Sequence, residues 1–365
     1  MNLIPRQIAQ LPWTMLTLVF ALTGFGLVVL YSAAGGHLSP WAGSQGAKFL
    51  VFVGMALVMS RVPEEYYRRA AYPVYGLILF ALLSVELLGA VSGGSRRWLD
   101  LVVIRLQPSE LMKLAIVLVL AQFYDRLPSG ELRGWNALWP PALLIGVPFM
   151  LVMAQPDLGT ATMIAAGGAT LVFLAGVPLR LFLAAGGLLA AALPAAFALM
   201  HDYQRKRVLI FLDPESDPLG AGYHITQSKI AIGSGGIFGK GFLQGTQSHL
   251  DYLPEGHTDF VFATMAEEWG LIGGVAIIIG FMLLIRWAMK VSERAPTRFG
   301  RLAAAGLATT IFFYVAINLM MVMGLAPVVG IPLPLISFGG TAMMTVLMSL
   351  GILMSIDRAG RKLRD

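Results

Sequence analysis

The sequence predicts an all-α, polytopic integral membrane protein with about ten transmembrane helices, and three observations carry that prediction. Of 365 residues, 57% are hydrophobic and only 13% are charged, whereas a soluble domain keeps about 25% charged residues. The mean hydropathy is +0.75. Apolar runs of membrane-crossing length then recur along the chain, and a span needs about 20 apolar residues at a rise of roughly 1.5 Å each. The runs fall at about 12–32, 47–61, 71–91, 108–124, 138–154, 158–176, 180–200, 259–287, 300–324 and 336–356. The bilayer core offers no water to backbone groups, so such runs must satisfy their own hydrogen bonds as helices. The second run is short and the eighth long.

The first run is long enough to span and has no small-residue cleavage site after it, so it reads as a signal anchor. The chain has no cysteine, which excludes disulfides, thiolate metal centres and cysteine nucleophiles. No repeat of 20–50 residues is visible. The chain reads as a single membrane domain, 1–365, in which 201–258 is a large extracytoplasmic loop.

Orientation follows from Lys and Arg. With the N-terminus in the cytoplasm, the inside segments hold Arg61, Arg68, Arg69, Arg126, Arg133, Arg180, the Arg286–Arg301 group and the C-terminal Arg358, Arg361, Lys362 and Arg364. Most of the 26 basic residues then lie inside, and both termini come out cytoplasmic. All five histidines fall outside: His37, His201, His224, His249 and His257. So do the 201–258 connection and a shorter basic loop, SGGSRRWLDLVVIRLQPSE. A connection as long as 201–258 is more often functional than idle. Within it, Ala221–Ser234 alternates at helical spacing and predicts an amphipathic helix in the interface. The glycine-rich GSGGIFGKGFLQG, Gly233–Gly245, predicts a loop; it lacks the Walker spacing of a phosphate-binding loop. The last outside loop, GLAPVVGIPLPLISFGGTA, combines prolines and glycines at membrane depth. Such backbone is tolerated only where it is buried in protein or lines a cavity, and it is expected beside Asp259.

The stretch that organises the chain is DYLPEGHTDFVFATMAEEWG, from Asp251 to Gly270. A polar turn feeds directly into an apolar run at Phe260, with Asp259 at the junction. An acid there is held in place, part shielded from water, yet reachable by a polar substrate. Acids at helix N-termini also serve as caps and dipole partners; the dipole favours an ionised carboxylate, suited to binding a metal or to acting as a mild base. Two His-x-Asp pairs, His249/Asp251 and His257/Asp259, are candidate cation ligands. Glu267 and Glu268 lie two turns deeper, about 80° and 180° around a continuous helix from Asp259, so one of them is expected to pair with a basic group for structure. Gly270 and Gly274 read as a close-packing signal.

Three further clusters gather near the outside ends of spans: Arg96-Arg97-Trp98-Asp100, Gln107-Pro108-Ser109-Glu110 with Lys113, and Gln155-Pro156-Asp157. Pro108 suits a first helical turn, where the dipole favours Glu110. Glu110 and Lys113 are neighbours on one face. They are either a local ion pair or part of a substrate site, since ionisable groups inside a membrane are functional candidates by default.

Taken together, YLPEGHTDFVFA with EEWG, SRRWLD, QPSELMK, QPDLGTA, SGGIFGKG…GTQ and GIPLPLISFGG resemble the SEDS family (shape, elongation, division and sporulation), in the same order from about residue 15 to 357. Short termini make the chain more similar to the elongation branch than to the division branch. One departure is Thr341-Ala342 after SFGG, where the family often has a serine. The resemblance implies a ten-helix fold and a peptidoglycan glycosyltransferase of the bacterial cytoplasmic membrane. Such an enzyme polymerises lipid II, a disaccharide-pentapeptide on undecaprenyl pyrophosphate, into glycan strands at the outer face. It implies that Asp259 is essential, that a divalent cation (Mg or Mn) takes part, and that a class B penicillin-binding protein, the transpeptidase, is a partner within the elongation machinery. No nucleic acid is expected. On this reading Asp259 is general base or metal ligand. Arg96, Arg97, Lys113 and Lys240 are candidates for the diphosphate, and Glu110 and Asp157 shape the polar cavity. Two other readings stay open at this point: a lipid II flippase or other lipid-linked substrate transporter, which would concentrate ionisable residues near the midplane, and a non-catalytic scaffold.

Overall fold

The computed structural model describes residues 11–362 apart from 89, 93–94, 102–103, 200–201, 214–216, 218–219, 251 and 254. Of the residues weighed above, His201, Asp251 and Arg364 lie outside the described set, as do the side chains of Arg96, Asp100, Arg133 and Lys362.

Each of the ten apolar runs falls on a helix. In chain order these are α1 (Trp13–Ala33), α2 (Ala42–Met59), α3 (Glu64–Leu88), α4 (Pro108–Arg126), α5 (Trp139–Ala154), α6 (Leu158–Leu174) and α7 (Leu179–Leu199). After α7 come α8 (Asp202–Leu212), α9 (Ala221–Gly235) and the single turn α10 (Thr246–His249). The last three are α11 (Val261–Arg294), α12 (Arg298–Val322) and α13 (Gly340–Lys362). Among the described residues, seven helices (α1, α2, α3, α5, α11, α12 and α13) are long and apolar enough to cross a membrane, while α6 and the described part of α7 are shorter apolar helices. The chain is an integral membrane protein.

The core sits around α4 and α12. Helix α4 is buried along nearly its whole length, from Pro108 to Tyr124, although it carries Glu110, Lys113, Asp125 and Arg126. A helix enclosed by protein on all sides needs no lipid-facing stripe. Contacts sort the chain into two ends. At one end, Arg68 meets Asp125 at 3.3 Å, Asp125 accepts from Phe299 N, and Arg358 donates to the Arg61 carbonyl. At the other lie the Asp259 turn, the 324–339 segment and the start of α6.

Three features depart from the sequence reading. The shorter basic loop is a small antiparallel sheet, β1 (Ala90–Ser92), β2 (Ser95–Leu101) and β3 (Ile104–Leu106), in the order β1-β2-β3. Its register sets Leu99 opposite Leu106 and Asp100 opposite Arg105. Helix α11 starts at Val261 with Phe260 at its N-cap, so Asp259 stands in the preceding turn rather than at the N-cap. And Gly270, which packs closely as expected (a Cβ there would stand 2.4 Å from Gly239 N), is also a break in α11: its φ is 64° and its ψ is −160°.

The break at Gly270 explains the glycine-rich loop. A kink strands helical carbonyls and amides, which at membrane depth must find partners. The 236–241 backbone supplies them like an added strand. Lys240 N and Gly241 N donate to the Glu267 and Glu268 carbonyls, while Leu271 N and Ile272 N donate to the Gly236 and Ile237 carbonyls. The two backbones approach so closely that a Cβ on Gly239, itself at φ +81°, would stand 2.0 Å from the Glu268 carbonyl oxygen. The amphipathic stretch is helix α9, which buries Ile225, Ser228 and Ala231 and ties to the end of α12 through Ser228 Oγ donating to the Val322 carbonyl at 2.7 Å.

Candidate active site

Asp259 sits half-buried in the turn before α11, where three segments converge. Asn318 of α12, fully buried, donates from one amide nitrogen to the Asp259 carbonyl at 2.9 Å and to the Ile331 carbonyl at 2.7 Å. This joins the acid turn to the proline- and glycine-rich 324–339 segment, in the place the sequence anticipated. Gly330, at φ +71°, faces the carboxylate: a Cβ there would stand 3.4 Å from Asp259 Oδ2. The absent side chain leaves room beside the acid.

The preceding residues line the same region. The His257 ring stacks on Trp41 with centroids 4.0 Å apart and planes 10° from parallel. Phe338 N donates to the His257 carbonyl at 2.9 Å, and Lys48 Nζ lies over the Phe338 ring, 4.7 Å from its centroid. Burial holds the His257 imidazole below its usual pKa, with the Glu255 charge acting the other way. Trp41, Lys48, Phe338 and Asn318 escaped the sequence reading. A lone asparagine inside the 300–324 apolar run was the available signal, since polar groups at membrane depth are costly.

A second polar cluster is buried beside the first. Lys113 Nζ donates to Glu110 Oε1 at 2.6 Å, with side chains 1% and 6% exposed. Tyr314 donates its hydroxyl to Glu110 Oε2, and Lys113 Nζ lies 4.2 Å from the centroid of the Tyr314 ring. Asp157 caps α6 by accepting from Thr160 N at 3.0 Å and accepts from Gln107 Nε2 at 3.1 Å. Arg97, reaching over from β2, donates to the Gln155 carbonyl at 3.0 Å and to the Pro156 carbonyl. These carbonyls lie just past the end of α5, where the helix dipole favours a cation. Thus Arg97, Glu110, Lys113 and Asp157 form one neighbourhood. It adjoins the acid turn twice: Gly159 packs its backbone on Val329 and Ile331, and Tyr314 and Asn318 are four residues apart on one face of α12.

Lys240 stands apart from both clusters. Its Nζ donates to Glu267 Oε1 at 2.6 Å and to Thr246 Oγ1 at 2.7 Å. The same carboxylate accepts from the backbone amides of Thr246, Gln247 and Ser248. Glu267 therefore closes the loop onto α11, with Lys240 as its basic partner. Its neighbour Glu268 accepts from Ser32 Oγ at 2.5 Å and lies 3.2 Å from His249 Nε2.

His257 and Asp259 lie in one turn, but among the described residues no three His, Asp or Glu side chains cluster tightly enough for an all-protein metal cage. A half-buried carboxylate of this kind is the ligand type a hard cation such as Mg²⁺ takes, commonly one or two carboxylates together with substrate phosphates. Away from this site, a wholly apolar cavity of about 200 Å³ opens between α5, α6 and α7, lined by Leu138, Pro141, Ile145, Val172, Leu181 and Phe182 among others.

A family model described as cell cycle protein (FtsW, RodA, SpoVE) matches residues 13–362. Peptidoglycan glycosyltransferase MrdB of Escherichia coli strain K12 is 46% identical over 346 residues, covering 94% of this chain and 92% of that protein. Stage V sporulation protein E of Bacillus subtilis is 34% identical over 350 residues, covering 92% and 94%. Among the solved structures that match are two covered over almost their full length. One chain comes from a peptidoglycan synthase complex whose description concerns the coordination of polymerization and crosslinking; its TM-score is 0.83 at 33% identity, covering 96% of this chain and 98% of that one. The other is the rod shape determining protein RodA of Thermus thermophilus, with TM-score 0.72 at 30% identity, covering 95% and 97%.

Proposed function

The chain belongs to the FtsW, RodA and SpoVE family of cell cycle proteins and is a membrane-embedded peptidoglycan glycosyltransferase, and from that premise we propose how its residues divide the reaction. The substrate is lipid II and the growing glycan strand. The acceptor 4-hydroxyl oxygen forms a bond to the anomeric carbon of the donor sugar, and the bond from that carbon to the lipid diphosphate breaks. The diphosphate leaves with the electron pair, and the hydroxyl proton passes to Asp259, the general base. The observation that carries this reading is the Asp259 carboxylate itself, in an irregular turn with a glycine beside it and its backbone fixed from α12.

Charge developing on the diphosphate needs a positive field fixed in advance. Of the candidate cations, Arg97 is best placed: it is part exposed and carries five donors in a rigid fork. Lys113 is fully enclosed by its ion pair and orders the cavity wall with Glu110 and Asp157. Lys240 acts through Glu267 on the loop that seals the α11 break. In the alternative role, Asp259 would hold a divalent cation, which would supply electrophilic stabilisation of the departing oxygens. The apolar cavity between α5, α6 and α7 offers a surface for a polyprenyl chain. The likeness to a chain of a peptidoglycan synthase complex supports a crosslinking partner, which on this reading is a class B penicillin-binding transpeptidase of the elongation machinery. The setting is the bacterial cytoplasmic membrane, with both termini inside and the Asp259 end outside.

The test is polymerisation of labelled lipid II by purified protein. Wild type forms glycan strands and Asp259→Ala forms none. Polymer from the Asp259→Ala variant at the wild-type rate would remove Asp259 from the chemistry.

A further inference from the structure

We propose that Asn318 is a positioning residue for the transferase reaction, acting through the backbone of Asp259; this rests on the reading of Asp259 as the acting base. The side chain is 0% exposed and lies inside a membrane-length apolar helix, where an amide is costly without a task. Its amide nitrogen spends both donor positions on backbone carbonyls from two irregular segments: Asp259 in the turn before α11, and Ile331 in the 324–339 segment. Its Oδ1 accepts from no group among the described residues. The amide therefore serves here as a double donor.

Neither segment it holds is regular secondary structure. The Asp259 turn has no side-chain cap at Phe260. The 324–339 stretch contains Gly330 and Leu335 at positive φ. Asn318 supplies both with a fixed point on a helix that is packed over most of its length. It sets where the Asp259 carboxylate stands relative to Gly330 and the space beside it. Displacement of a reacting group by about 1 Å can cost roughly 100-fold in rate, so a residue that never touches substrate acts on turnover through this clamp.

The clamp also joins the two polar clusters. Tyr314, one helical turn earlier on α12, holds Glu110 of the buried ion pair, while Asn318 holds Asp259. One rigid helix face thereby fixes the separation between the acid and the neighbourhood of Arg97, Asp157 and Lys113.

The experiment compares Asn318→Leu, which removes both donors, and Asn318→Ser, which restores one, with wild type and Asp259→Ala. Steady-state polymerisation of labelled lipid II is normalised to the folded fraction measured by thermal unfolding and size-exclusion chromatography. The expected result is at least a tenfold fall in kcat for the leucine variant, a smaller fall for the serine variant, and KM within about twofold of wild type in both. A purely structural role would lower melting temperature without splitting kcat from KM, and the donor would not rescue turnover. Where the leucine variant fails to fold, the serine variant carries the comparison. If kcat per folded molecule stays within threefold of wild type in every Asn318 variant that folds, while Asp259→Ala is inactive, the clamp is overturned and the general-base assignment stands. If Asp259→Ala polymerises normally, the base assignment falls, and the clamp with it.

Discussion

Substituting Lys113 by Met tests how the buried ion pair works. The ammonium and the Glu110 carboxylate are 2.6 Å apart, with side chains 1% and 6% exposed. At an effective dielectric of 20 their attraction is roughly 6 kcal/mol, set against the cost of taking both ions out of water. Such a pair contributes little net stability compared with a well-packed apolar pair, but removing one member strands a buried charge at a cost of about 3–5 kcal/mol. Here the Tyr314 hydroxyl still donates to Glu110 after the substitution. The expected loss for Lys113→Met therefore sits at the lower end, about 3 kcal/mol. The assay is unfolding of the detergent-solubilised protein for Lys113→Met, Glu110→Gln and the double variant. The double variant should lose clearly less than the sum of the two singles, because it strands no charge. Strict additivity, or a Lys113→Met loss under about 1 kcal/mol, would refute the reasoning. Polymerisation by the double variant adds a second answer. A stable, active protein means the pair only orders the wall; a stable, inactive one means the ammonium or the carboxylate meets substrate.

Two other perturbations follow from the same geometry. Gly239→Ala puts a Cβ 2.0 Å from the Glu268 carbonyl oxygen at a φ of +81°; both obstacles are backbone, so the 236–241 loop must lift off α11, at a cost on the order of 3 kcal/mol or more. Limited proteolysis should then cut within 236–245, and an unchanged protease pattern would contradict the added-strand description. His257 has a folded pKa depressed below 6.5 by burial, so the folded state binds fewer protons than the unfolded one as pH falls through 6.5. Its contribution to stability is present above that pH and declines between 6.5 and the lower folded pKa. The melting temperature of wild type should drop more than that of His257→Gln between pH 7.5 and 5.5, and parallel curves would count against a neutral imidazole stacked on Trp41.

The order and placement of the membrane helices were legible because the bilayer imposes a simple filter. A run that crosses it must be apolar and helical, and all ten runs carry helices. The position of Asp259 in a turn just before a membrane helix could be read from an acid beside the start of an apolar run, and the irregular 324–339 wall from proline and glycine at membrane depth. Helix α4 was foreseen as a span, but nothing in its composition says that it is enclosed on all sides; burial by other protein leaves no lipid-facing pattern to read.

What tertiary structure decided is the partner of each polar group. Local spacing paired Glu110 with Lys113, but only packing brought Tyr314 to the same carboxylate from some two hundred residues away. Lys240 read as a candidate for the diphosphate in a glycine-rich loop, and only the fold set it on Glu267. Gly270 read as a packing glycine, which it is, but the kink it makes is visible only once another backbone fills it. Asn318 carried no local pattern at all. The periodicity of a sequence reports which side of an element meets lipid or core, whereas hydrogen bonds between distant irregular segments depend on where several helices end relative to one another, and that is fixed only when the whole bundle packs.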